Sequence, residues 1–334
     1  MLVTDEMRRN SASCGARLAE RSSGMADNRN GTSVRQRRRQ KFFKEHPFCC
    51  FCGGDAKTTT EDHVPHKALF SRGWTPDDYR FPACKPCNKS TRKAESRVTF
   101  FSRLHSELAE AGDRRKLEQR LYHFSQQDRQ FAEELLHPTA RQLRTAERRG
   151  VVQREPGQFL QELPILNAKG PLLKDAMTIF GVKLFCALYY KEVECILPIE
   201  GGIAVSWYTN VNRMLGEFPE DAHSIIQEHS HEPKLVHGKL SIKDAFEYNI
   251  ATTENLTAAF RASFGKDLHL FGIVHRDRST AREIKNCIYH PPAFHRIEKV
   301  NHQTSKIREI EYRFRSAYPE PSDVTSHMAI YDLS

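Results

Sequence analysis

The sequence predicts an α+β fold: a compact cysteine-framed module, then a helical region, then an α+β domain with a small antiparallel sheet. Three observations predict it. Two C-x-x-C pairs bracket residues 49–87. Apolar residues recur at helical spacing between 96 and 149. Beyond 200 the apolar runs shorten and alternate, as strands do.

Residues 1–44 read as a basic, disordered arm, rich in Ser, Arg, Asn and Gly. Met25, heading "MADNRNG", would serve as an alternative start. The run "VRQRRRQKFFK" at 34–44 holds six basic residues and no acid. Together with a net charge of +9, this suits a polyphosphate partner, because releasing condensed counterions drives such association. Arg37, Arg38, Arg39 and Lys41 are therefore candidate nucleic-acid contacts. The competing reading is a solvated tail.

The module spans 45–95 and the helical region 96–150. Phe101, Leu104, Leu108 and Ala111 share one stripe, and Leu117, Leu121 and Phe124 the next. Gly112-Asp113 separates two helices, Pro138 starts or kinks a third, and Gly150 stops it. In the last region, 151–334, residues 172–190 are apolar almost all round and predict a buried helix. Residues 201–209 predict a strand, and "AFEYNIATT", "LTAAFRASF" and "LHLFGIVH" predict three more, with Gly265-Lys266-Asp267 as a hairpin turn. The role of this region is not legible; a surface for a protein partner is one reading.

Composition excludes several classes. No apolar run reaches the ~18 residues that span a bilayer, and the longest is broken by Lys183. No apolar segment follows a basic start, so a secretory signal is not expected. Nine cysteines, an odd number, argue for reduced thiols in the cytoplasm rather than a disulfide framework. There is no Gly-rich phosphate loop and no serine or cysteine nucleophile motif.

In "FCCFCGG", Cys49 and Cys52 form a C-x-x-C pair followed by Gly53; in "ACKPCNK", Cys84 and Cys87 form the second. Two intervening residues let a tight turn aim both sulfurs at one ion, and two such knuckles complete a tetrahedral Zn²⁺ site. Buried free thiols and an iron–sulfur cluster are the alternatives. Cys50 is too close to Cys52 for the usual knuckle, and Cys14, Cys186, Cys195 and Cys287 read as bystanders. Between the knuckles lies Asp62-His63, at the end of a β-prone stretch, and Asn88 follows Cys87 where a helix should start.

The run C-x-x-C-G, DHVP, C-x-x-C-N resembles the HNH nuclease family with its ββα-metal fold, and "DHVPHKALF" resembles a bacterial subgroup with a DHVP-x-x-x-LF signature. The resemblance covers residues 45–95. It implies a metal-dependent endonuclease acting on nucleic acid, DNA first. His63 would be the general base, with Asp62 and Asn88 as ligands of a catalytic Mg²⁺ or Mn²⁺. Such a hydrolysis would leave 5′-phosphate and 3′-hydroxyl ends. The chemistry agrees: a histidine of ordinary pKa can take a proton from water near neutral pH, and a hard cation prefers carboxylate and amide oxygens.

Neighbouring strand residues point to opposite faces, so Asp62 and His63 need a local break, such as Pro65, to converge. Glu95, seven residues after Asn88, is a possible further ligand, a partner for a nearby lysine or arginine, or a solvated carboxylate. The family's middle asparagine is missing from "DDYRFPAC", so Asp77 or Asp78 would have to orient His63. His66 stands where the subgroup often has proline. Arg72, Arg80, Lys85, Lys89, Arg92 and Lys93 surround the centre and suit phosphate contacts. "HSHEPKLVH", with His229, His231 and His237, and the stretch around His290 and His295 read as polar loops. A non-catalytic zinc-finger-like nucleic-acid-binding protein is the alternative function.

Overall fold

The computed structural model describes residues 34–70, 75–109, 114–163, 165–228, 230–253 and 257–277. Arg72, Gly112-Asp113, His229, His290, His295, Cys14, Cys287 and Met25 lie outside them. The first element departs from expectation. Residues Val34–Glu45 form helix α1 instead of a disordered tail. Its docking explains why: Arg39 donates to the Thr59 carbonyl at 3.0 Å, Phe42 packs on the His46 ring, and His46 meets Tyr190 through a ring contact and a 2.7 Å hydrogen bond between Nδ1 and the hydroxyl.

The module follows. Strands β1 (Thr60–His63) and β2 (Arg80–Ala83) pair antiparallel, with Asp62 opposite Phe81 and His63 opposite Arg80. Helix α2 (Lys85–Ser90) starts at N-cap Cys84, three residues before Cys87, with Pro86 in its first turn where the missing N–H costs nothing. Thr91 ends it and α3 (Arg92–Ala109) begins. An antiparallel strand pair is thus followed by a helix.

Helices α4 (Arg114–Gln127), α5 (Arg129–Leu136) and α6 (Ala140–Arg148) complete the helical region. The sequence expectation of three helices missed the break at Asp128, whose carboxylate binds Arg97 at 2.7 Å. Pro138 precedes a capping box: Thr139 accepts from the Gln142 amide, and Gln142 returns a bond to the Thr139 amide. Gly150, with φ +71, closes the region as expected.

Helix α7 (Pro171–Val193) is the predicted apolar helix and carries the fold. Its exposed N-terminal amides are satisfied from another helix: Glu134 of α5 accepts from Leu172 and Leu173 N–H at 3.1 Å each. After it come β3 (Gly202–Thr209), the short α8 (Asn210–Met214), α9 (Glu220–Glu228) and the small pair β4 (Val236–His237) and β5 (Leu240–Ser241). The predicted strands then appear as β6 (Glu247–Thr252), β7 (Ala258–Phe264) and β8 (Leu268–His275), in the antiparallel order β3-β8-β7-β6. Ala258, Phe260, Ala262 and Phe264 are buried on one face, as their alternation predicts.

Helix α7 lies against this sheet so closely that glycines are needed at the contact. A methyl at Gly181 would meet Val205, and one at Gly272 would overlap the Phe185 ring. The other side of α7 carries the module: Cys186 Sγ donates to the Cys50 carbonyl at 3.1 Å, and Tyr79, Tyr248 and Glu192 form a hydrogen-bonded chain at 2.6 Å per step. One apolar core thus runs from Cys49 to Val274, so the boundaries at 95 and 150 divide the sequence and not the core. No helix among the described residues is long and apolar enough to cross a membrane.

Gly272→Ala is expected to cost about 1–3 kcal/mol by forcing Phe185 from its seat. Urea unfolding checks this through a lower midpoint at unchanged slope.

Candidate metal centre and adjoining groove

Four sulfurs meet at the base of the hairpin. Cys49, Cys52, Cys84 and Cys87 are buried, unoxidised, and have ligand atoms all within 4.8 Å of one another. A tetrahedron with Zn–S bonds of about 2.3 Å needs sulfur–sulfur edges near 3.8 Å, so the frame fits zinc. The first knuckle turns as its sequence suggests: Phe51 N–H points at Cys49 Sγ at 3.4 Å, and Gly53 and Gly54 take φ of +68 and +80. A side chain at Gly53 would also strike the Ile199 backbone. Hydrogen bonding among the four thiols holds Cys84 far below the usual thiol range and pushes Cys49 far above it. A dication among the four sulfurs would stabilise their thiolate forms. Cys50 is also buried, and burial pushes its thiol well up, so it stays a thiol outside the frame. Cys186 is a buried free thiol, whereas Cys195, read from the sequence as a bystander thiol, is disulfide-bonded. No other group of metal-ligating side chains occurs among the described residues.

Beside the zinc frame, α1 and the hairpin enclose a groove of about 900 Å³. His63 and Asn88 both line it, together with Thr60 and Glu61. Six basic side chains, Arg38, Arg39, Lys67, Arg80, Lys85 and Arg92, face it against the single acid Glu61. Arg80 lies 3.5 Å from Glu61 and forms part of the partition from a second hollow of about 520 Å³, which shares Arg38, Glu61 and Arg80. His63 is held neutral. Desolvation, then the charges of Lys67 and Arg80, lower its pKa to about 4.

Asp62 faces the other way. The strand alternation persists to His63, so Pro65 does not bring the two side chains together. Asp62 is buried, with Oδ2 2.7 Å from Lys183 Nζ, and is absent from the groove. Glu95 is not the face-mate of Asn88 either, because Thr91 interrupts the helix between them. It is buried against Thr91 and Lys183. Asn88 Nδ2 points at Thr60 Oγ1 at 3.5 Å. Asp77, considered as an orienter of His63, accepts from Gly238 N–H at 2.7 Å, and Asp78 lines the second hollow. His66 caps the single turn Lys67–Leu69, and His237 binds the Thr75 carbonyl at 2.9 Å.

Of the candidate nucleic-acid contacts, Arg38, Arg39 and Arg92 line the groove. Lys41 lines the second hollow, Lys93 lies 3.7 Å from Asp128, and Arg37 and Lys89 are exposed outside both. Lys183 is the residue that sequence reading missed: it counted only as the charge interrupting an apolar run. A lone lysine in an otherwise apolar helix was the available signal.

One zinc per chain is expected by elemental analysis. Cys87→Ser should abolish it and unfold the module, read as loss of cooperative melting at the same concentration. No protein-family model matches the chain, and no curated protein or solved structure matches it.

Proposed function

We propose that this chain binds nucleic acid in the groove beside its zinc frame and hydrolyses a phosphodiester bond there, with His63 as general base. The observation that carries this reading is a partly buried histidine with a lowered pKa in a groove lined by six cations and one acid. Such a groove attracts a polyanion, and a neutral imidazole inside it can accept a proton where an imidazolium cannot. The ββα order and the C-x-x-C-G, DHVP and C-x-x-C-N motifs, which resemble HNH nucleases, agree with it. DNA is the first substrate to test.

In this reading His63 takes a proton from water, and the water oxygen bonds to phosphorus. The P–O3′ bond breaks, and the departing oxygen takes a proton from solvent, leaving 5′-phosphate and 3′-hydroxyl ends. Arg80, Lys67 and Arg92 lie where they would offset charge on the phosphoryl oxygens. The Mg²⁺ or Mn²⁺ implied by the resemblance does not fit the residues as placed. Asp62 is turned from the groove onto an ammonium, and Asn88 alone remains beside His63. No step is routed through that ion. This same placement favours the second reading, a non-catalytic zinc module that binds nucleic acid through the groove.

Incubation of zinc-loaded protein with supercoiled plasmid, single-stranded DNA and RNA, with Mg²⁺, with Mn²⁺ and with neither, separates the two readings. Cleavage that His63→Ala reduces by about 10²–10⁴ supports hydrolysis, whereas retention of the nucleic acid without cleavage supports binding alone. The pH profile is a further check. With its pKa lowered to about 4, His63 is already the free base at pH 6, so the rate should rise through a midpoint near 4 and stay level to pH 8. Cleavage that His63→Ala leaves unchanged would remove His63 from that role.

A further inference from the structure

We propose that the ammonium of Lys183 is the resident cation of the Asp62–Glu95 pair, taking the place a divalent ion would need, so that Asp62 serves no metal. Lys183 comes from the middle of α7, Asp62 from β1 and Glu95 from α3. Its Nζ lies 2.7 Å from Asp62 Oδ2, 2.7 Å from Glu95 Oε1 and 2.9 Å from Thr91 Oγ1. Glu95 and Thr91 accept hydrogen bonds from the ammonium, and Asp62 Oδ2 stands beside it as an ion pair without hydrogen-bond alignment. The Phe51 ring centroid, 5.6 Å from Nζ, closes another side. Lys183 is 1% exposed, Glu95 3% and Asp62 7%.

A hard dication takes about six oxygens, and with Nζ in place this point is occupied, its oxygens from Asp62, Glu95 and Thr91 already facing the ammonium. It would also have to displace a like charge that is already satisfied. Burial alone would strip the proton from Lys183, but the two carboxylates more than offset this and hold it above the ordinary lysine range. Burial likewise pushes Glu95 up, against the pull of Lys183. The ammonium offsets one of the two carboxylate charges, and the cations that face a bound phosphate are those of the groove itself.

The test uses the full chain, zinc-loaded, with Mn²⁺ as probe and electron paramagnetic resonance as readout. It needs no cleavage activity, so its outcome is separate from that of the proposed function. Wild type and Asp62→Asn, which keeps the shape and an oxygen for the ammonium, are expected to bind Mn²⁺ equally. Lys183→Met is expected to melt lower in zinc-only buffer and to gain a Mn²⁺ site at least about ten-fold tighter than any in wild type. Adding Asp62→Asn should remove that site. An affinity in wild type that falls about ten-fold on Asp62→Asn would make Asp62 a native ligand and overturn the proposal. A folded Lys183→Met protein with no new site would also overturn it. Should that variant not fold, the comparison of wild type with Asp62→Asn decides.

Discussion

Burying an ion costs several kcal/mol even after the protein relaxes around it, and the loss is recovered only where partners are close and well aimed. Lys183 sits in the most apolar of the described helices and meets that condition through hydrogen bonds to Glu95 and Thr91 and an ion pair with Asp62. The contact is specific in a way apolar packing is not. Leucine against phenylalanine tolerates small slips, but an ammonium displaced by an ångström or two leaves charges unpaired in a low dielectric. The position of α7 against β1 and α3 is therefore tightly determined. Since α7 also packs on the four-stranded sheet through Gly181 and Gly272, the same helix holds both halves of the protein in one core.

The four-sulfur frame acts at the opposite end of the hairpin. It joins a turn before β1 to the first turn of α2, and a metal such as zinc could be held among its four sulfurs. Between the two anchors, β1 has little freedom. Its register leaves alternate side chains on opposite faces, with Asp62 committed to the ammonium and His63 to the groove. The groove's electrostatics follow: a concave surface with six cations and one acid, in which an imidazole loses its proton because burial and the neighbouring Lys67 and Arg80 disfavour the charged form.

Helix α1 shows how a charge-rich stretch can be misjudged. Its arginines read as a solvated arm, because isolated basic runs gain nothing from folding. Arg39 instead reaches the Thr59 carbonyl, and the aromatic end of the helix packs with His46 against Tyr190 of α7. A third of the groove's lining thereby comes from a helix docked near a residue 144 positions beyond His46.

Local pattern was enough, from sequence alone, for much of this protein. The knuckle spacing, the alternation in β7, the turn at Gly265-Lys266-Asp267 and the apolar run of α7 each depend on residues within a few positions of one another. Backbone periodicity carries such information directly. The pairing of His63 with Asn88 in one groove also follows from a hairpin clamped at both ends. What only the tertiary structure decided is where each charge goes. Nothing near Asp62 in the chain announces that a lysine 121 positions later will claim it, nor that Glu95 will share that lysine. Electrostatic partners are set by three-dimensional distance and burial, which have no period in the sequence. The same residue, Asp62, reads as a metal ligand by its motif and stands as the counter-charge of Lys183 by its place in the core.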